Sequence, residues 1–176
     1  MLIHPERWRL FPERFREDRP RRLLALDGGG IRGLIALGIL ESLESLVLDR
    51  TGLRLCDYFD YIAGTSTGAI IAAGLARGMK VAEVIEFYKS CGKQMFEHTA
   101  LMQRLKSFYT ADPLKQKLQA FLGHDTTLAS NSLQCLLLVV TKNATTDSPW
   151  PISNNPDART TIPRVRTAIC KYRCGS

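Results

Sequence analysis

The segment Gly64-Thr65-Ser66-Thr67-Gly68 places a serine between two glycines, each two residues away, after an apolar run and before a stretch of small and branched residues. A strand that reverses sharply into a helix needs this spacing. The backbone passes through crowded dihedrals there, and side chains at the flanking positions would block neighbouring elements. The Ser66 hydroxyl is thereby presented at the carboxyl end of a strand, where open α/β sheets bind ligands. The adjoining helix N-terminus adds positive potential where negative charge would build up. The chemistry is nucleophilic attack on a carbonyl, through a covalent intermediate. The plainer alternative is a Gly and Ser turn that starts a helix with a hydroxyl cap. On this motif alone both stand.

A second glycine turn precedes it: Asp27-Gly28-Gly29-Gly30-Ile31-Arg32-Gly33. Gly28, Gly30 and Gly33 match the dinucleotide fingerprint GxGxxG, with an apolar run before and helical periodicity after. That fingerprint also wants an acid at the end of the next strand. The residue at a suitable distance is Asp49, which falls at a helix end before Arg50, Thr51 and Gly52, and Asp27 would set a carboxylate beside a pyrophosphate. Dinucleotide binding is therefore a remote alternative, and the GxxxxGK phosphate loop is absent. A triple glycine at a strand end suits a different task, exposing backbone N–H groups to a developing oxyanion without side-chain obstruction.

These turns need elements to hold them. Leu23 to Leu26 form a continuous apolar run of the kind found in buried parallel strands. Leu34, Leu37, Gly38, Leu40, Leu43, Leu46 and Val47 follow at helical spacing. A second apolar run, Tyr58 to Ala63, leads into the serine turn, and a helix over Ala69 to Ala76 leaves it. Val81, Val84, Ile85, Tyr88 and Met95 make one stripe of an amphipathic covering helix. Asp112 and Pro113 read as N-cap and first-turn residue of another helix, with Leu114, Leu118, Phe121 and Leu122 on its stripe and Gly123 at its end. Leu133 to Thr141 supply a third strand. This alternation predicts an α/β fold, a mostly parallel sheet with helices on both faces. Two consecutive strand-loop-helix units bring both glycine turns to the same sheet edge.

With 176 residues, 45% of them hydrophobic and 23% charged, the composition excludes a disordered or collagen-like chain. The net charge of +7 divides unevenly: +3 over residues 1–22, −1 over 23–157 and +5 over 158–176. A nucleic-acid binder concentrates its cations on a folded face, so this end-loaded charge argues against such a partner. Trp8, Phe11 and Phe15 lie among arginines in the first segment, a pattern that suits an anionic membrane surface or packing on the domain. The five cysteines, Cys56, Cys91, Cys135, Cys170 and Cys174, lack framework spacing and read as free thiols. No apolar stretch reaches membrane-spanning length and no signal-peptide core is present. The expected setting is cytoplasmic, with contact at a membrane periphery.

Together, Asp27-Gly28-Gly29-Gly30-Ile31-Arg32-Gly33, Gly64-Thr65-Ser66-Thr67-Gly68, Thr141-Lys142-Asn143 and Trp150-Pro151-Ile152-Ser153-Asn154-Asn155-Pro156 resemble the patatin-like phospholipase family over residues 22–158. The resemblance implies a three-layer patatin-like fold and hydrolysis of fatty acyl esters of lipids or phospholipids, with no cofactor or metal. It assigns Ser66 as nucleophile of a Ser-Asp dyad, and the N–H groups of Gly28, Gly29 and Gly30 as the oxyanion hole. Arg32 matches the family's loop arginine, as a brace or a phosphate contact, and Asp27 reads as a strand-end residue bonding loop amides. The expected division is an Arg-rich extension over 1–21, the patatin-like domain over 22–158 and a basic tail over 159–176.

One part of the pattern is missing. In relatives the dyad aspartate sits in a later Asp-Gly-Gly or Asp-Gly-Ala segment, and no Asp-Gly pair follows Ser66 here. The expectation is a truncated or frame-shifted member whose base is unknown and whose activity is weak or lost. Ser66, Asp112 and His124 follow the chain order of an α/β-hydrolase triad, which leaves a Ser-His-Asp esterase as an alternative. Asp147 and Asp157 are surrogate bases without a motif, and His98 has no visible partner. A non-catalytic lipid-binding or regulatory fragment is the reading from a different class.

Overall fold

A computed structural model describes residues 19–30, 33–96, 112–128, 130–143 and 145–155. Among them, four strands form one sheet in the order β1-β2-β3-β4: β1 (Leu23–Leu26), β2 (Tyr61–Thr65), β3 (Leu136–Lys142) and β4 (Pro149–Ser153). β1, β2 and β3 run parallel, with Leu26 opposite Gly64 and Gly64 opposite Val139. β4 returns antiparallel to β3. The helices are α1 (Gly33–Thr51), α2 (Leu55–Tyr58), α3 (Thr67–Ala76), α4 (Val81–Phe96) and α5 (Asp112–Leu122). The α/β class and the mostly parallel sheet are as the alternation of apolar runs predicts.

The local chemistry explains the connections. In β1 and β2 burial alternates with the two-residue period of a strand, so Leu26, Ile62 and Gly64 share the buried face. α3 packs on that face and is buried along nearly its whole length, Ile71, Ala72, Leu75 and Ala76 completely so. A helix apolar all round belongs in a core. Its small residues admit close neighbours: a Cβ on Gly74 would meet the Phe121 ring at 3.1 Å and Val84 at 3.2 Å. Phe87 of α4 and Phe121 of α5 stack with centroids 3.9 Å apart, closing this side of the core. Gly123 ends α5 at φ 86°, in the left-handed region where glycine is favoured.

Several boundaries and faces differ from the sequence reading. Tyr58 ends the short helix α2, so the second strand starts at Tyr61, and the third starts at Leu136 rather than Leu133. β4 has no counterpart in the sequence reading, and its Pro149 and Pro151 are unusual in a strand. Among the described residues it lies at the sheet edge, where a missing N–H costs no ladder bond. In α1, Leu37, Leu40 and Val47 are buried as expected, but Leu34 and Leu46 are exposed together with Ile35 and Ile39. This helix is apolar on more than one face. On the sheet face opposite α3, Leu23 is 57% exposed and Ala25 is also exposed.

The entry to the sheet is held by a buried charge. Asp60, 2% exposed, accepts from Arg19 Nη1 at 3.0 Å, Arg19 Nη2 at 2.5 Å and the Arg22 amide at 2.9 Å. Residues 1–18 and 156–176, which carry the arginine-rich and basic ends, Asp157, Cys170 and Cys174, lie outside the described residues, as does His98. Cys56, Cys91 and Cys135 are buried thiols. No helix among the described residues is long and apolar enough to cross a membrane.

Candidate active site

Ser66 sits between β2 and α3 with φ 50° and ψ −124°. A non-glycine residue at positive φ, outside the left-handed helical well, is strained by about 1–3 kcal/mol and persists only where surrounding structure enforces it. The enforcement is visible at the two flanking glycines. A Cβ on Gly64 would collide with the Gly68 carbonyl, and one on Gly68 with the carbonyl oxygens of Leu26 and Asp27. The first of these tightens the turn, and the second presses the start of α3 onto the end of β1. Ser66 itself is exposed, whereas Thr67 and Gly68 behind it are buried. Ser66 therefore lies at the surface of the corner, at the N-terminus of a ten-residue helix.

The glycine loop meets this corner directly. A Cβ on Gly28 would stand 2.6 Å from Ser66 Cβ, 2.7 Å from the Thr65 carbonyl oxygen and 3.3 Å from Ser66 Oγ. The Gly28 N–H donates to Thr65 Oγ1 at 3.0 Å, and the Gly29 N–H donates to Thr67 Oγ1 at 3.2 Å. Gly30 adopts φ 58°. The two loops thus share one sheet edge, as the consecutive strand-loop-helix units predict. The tie is made by the threonines on either side of Ser66. Asp27, expected to bond the loop amides, is exposed, and the Gly28 and Gly29 amides go to the threonine hydroxyls instead. Thr65 ends β2 and Thr67 begins α3, so both hydroxyls reach the loop from the serine turn. Arg32 lies outside the described residues.

Behind the corner, Tyr88 of α4 is fully buried and donates its hydroxyl to the Thr67 carbonyl at 2.8 Å. A Cβ on Gly33 would lie 2.9 Å from Tyr88 Cε1 and 3.1 Å from its hydroxyl. Burial pushes the Tyr88 phenol up to about 12. Sequence reasoning placed Tyr88 in an apolar stripe and passed over its hydroxyl. The usable signal is that a buried tyrosine needs a partner for its O–H. It likewise passed over the roles of Thr65 and Thr67, although two hydroxyl residues flanking one serine are visible in the motif.

The rival constellations do not assemble. A Cβ on Gly123 would stand 3.6 Å from Arg77 Nη2, and Arg77 follows the C-terminus of α3 and donates from Nη1 to the Phe121 carbonyl at 3.0 Å. His124, exposed in the turn after Gly123, is therefore at the end of α3 remote from Ser66, about 15 Å along a ten-residue helix. His124 and Ser66 thus stand at opposite ends of α3, which argues against a Ser66-Asp112-His124 triad. Asp147 is an exposed turn residue paired with Lys142 at 2.6 Å. Asp49 is exposed within α1 rather than at a strand end, so the acid that a dinucleotide site requires is absent from its place.

The family model for patatin-like phospholipase matches residues 24–169. The chain is 32% identical over 151 residues to a cGAMP-activated phospholipase of Escherichia coli (strain TW11681), covering 80% of this chain and 42% of that protein. It is 30% identical over 152 residues to a cGAMP-activated phospholipase of Vibrio cholerae serotype O1, covering 77% and 42%. It is 41% identical over 125 residues to patatin-like protein 2 of Arabidopsis thaliana, covering 61% and 30%. The chain thus spans less than half the length of these relatives. A glycine loop and a serine corner in this order, joined in space and matched across most of the chain, lead to one assignment: the chain belongs to the patatin-like phospholipase family.

Proposed function

We propose that this chain carries the nucleophile half of a serine lipid acyl hydrolase, with Ser66 attacking the ester carbonyl of a phospholipid or related lipid. The observation that carries the reading is the strained, exposed Ser66 with Gly28 packed against it. Attack by Oγ forms a tetrahedral oxyanion. Collapse of that intermediate expels the lipid alcohol and leaves an acyl-Ser66 ester, which water then hydrolyses. The glycine-loop amides and the start of α3 are the donors closest to the developing charge. The Gly28 and Gly29 amides are engaged by Thr65 and Thr67, so their use as oxyanion donors requires sharing or exchanging those bonds.

The general base is assigned to none of Asp112, Asp147 or Asp157. Without a base, acyl transfer slows by about 10²- to 10⁴-fold. The engagement of the Gly28 and Gly29 amides by Thr65 and Thr67 is the observation behind a second reading, a lipid-binding form that keeps the corner and lacks turnover. Fluorophosphonate labelling and nitrophenyl ester hydrolysis separate the two, with Ser66→Ala as control. The phosphonate reports the nucleophile, because Oγ displaces fluoride at phosphorus, and the ester reports turnover. Turnover abolished by Ser66→Ala supports the hydrolase, labelling without turnover supports the binding form, and no labelling removes both.

A further inference from the structure

Three contacts link four residues behind the serine corner. Tyr88, on α4, touches the far end of the glycine loop at Gly33 and bonds the Thr67 carbonyl at 2.8 Å. Thr67 in turn receives the Gly29 amide on its hydroxyl at 3.2 Å. The path Gly33, Tyr88, Thr67, Gly29 therefore starts and finishes on the glycine loop and passes through the residue that follows Ser66. Both intermediate side chains are buried, Tyr88 at 0% and Thr67 at 3% exposure, so their bonds are little weakened by water.

We propose that Thr67 and Tyr88 are positioning residues, a two-bond brace that sets the spacing between the glycine loop and the Ser66 hydroxyl. The inference rests on the reading of Ser66 as nucleophile. The physical need is specific. Ser66 occupies a strained conformation, and a strained residue relaxes unless its neighbours are fixed on both sides. β2 and Thr65 fix the preceding side, where Thr65 Oγ1 also holds the Gly28 amide. The following side depends on Thr67, whose carbonyl is held by Tyr88 and whose hydroxyl holds the loop. Loss of either bond releases the loop and the serine relative to each other, and a misplacement of about 1 Å at a reacting centre costs up to 10²-fold in rate.

The test compares Thr67→Val, Thr67→Ser and Tyr88→Phe with the wild type. Thr67→Val removes the hydroxyl at nearly constant volume, Thr67→Ser retains it, and Tyr88→Phe keeps the ring against Gly33 while deleting the donor. Saturation kinetics with a fluorophosphonate separate the maximal labelling rate of Ser66 from probe binding. Hydrogen exchange of the Gly29 amide, followed in 15N-glycine-labelled protein, reports the loop independently of reactivity. The expected result is a maximal rate about tenfold lower in Thr67→Val and Tyr88→Phe, with unchanged probe affinity and recovery to within about twofold in Thr67→Ser. Gly29 exchange should quicken in Thr67→Val and not in Thr67→Ser. Wild-type rates in Thr67→Val and Tyr88→Phe, or equal loss in Thr67→Ser and Thr67→Val, would overturn the proposal. An unlabelled wild type overturns it for a different reason, by removing the nucleophile, and the Gly29 exchange data then show whether the brace itself exists.

Discussion

Gly28 and Ser66 touch: the space a Gly28 side chain would occupy is filled by Ser66 Cβ, 2.6 Å from the ideal Cβ position, and by the Thr65 carbonyl oxygen at 2.7 Å. The contact joins the end of β1 to the end of β2 above paired residues Leu26 and Gly64. Backbone and a short side chain form the obstacle, so little can move aside. Gly28→Ala should lose about 1–3 kcal/mol of stability through overpacking. It should also slow Ser66 labelling by about 10²-fold. Denaturant titration and labelling kinetics on one preparation check the two together.

The strain at Ser66 makes an opposite prediction for stability and reactivity. Ser66→Gly removes the hydroxyl and also relieves the φ 50° conformation. Relief of strain, less the added freedom of glycine in the unfolded chain, should raise stability by about 1 kcal/mol. Ser66→Ala keeps the strain and should stay within about 0.5 kcal/mol of wild type. Neither variant labels. Urea midpoints of the three proteins give the comparison, and a Ser66→Gly midpoint at or below wild type would contradict the strained corner.

Tyr88 predicts an alkaline limb. Its folded-state value, about 12, lies above the ordinary 10.0 because burial disfavours the phenolate. The folded state therefore holds the proton longer than the unfolded state. The stability this contributes is complete below pH 10 and is lost as pH rises from 10 towards 12, by about 2–3 kcal/mol. Stability measured from pH 9 to 12 should fall less steeply in Tyr88→Phe than in wild type. Absorbance at 295 nm should show one late-ionising tyrosine that the substitution removes.

Asp60 offers a prediction about the fold without the site. It holds Arg19 and the Arg22 amide where the chain enters β1, and Leu136 of β3 donates to its carbonyl at 3.1 Å. Asp60→Asn removes the charge that pairs with Arg19 and should destabilise by about 3 kcal/mol. The labelling rate of folded protein should stay close to wild type, since these contacts lie at the opposite end of β2 from Ser66. Thermal melting and labelling below the transition measure the separation.

Local pattern determined much of this protein. The strand-loop-helix order, the parallel sheet and the pairing of a glycine turn with a Gly-x-Ser-x-Gly turn are written in short apolar runs and in glycine spacing, because backbone geometry at a tight turn restricts residue type at each position. The same cues place the ends of α5 within one residue, the helix running from Asp112 to Leu122. What the tertiary structure alone decided depends on distances between elements far apart in sequence. The threonine hydroxyls, rather than Asp27, take the Gly28 and Gly29 amides because β1 and β2 align Leu26 with Gly64. Tyr88 reaches Thr67 because α4 packs behind α3. His124 is removed from Ser66 by the length of α3, and the prolines of β4 are tolerated in a strand that, among the described residues, lies at an edge. Periodicity identifies a face but not its neighbour, which is why Ile35 and Ile39 of α1 point outward while Leu37 is buried.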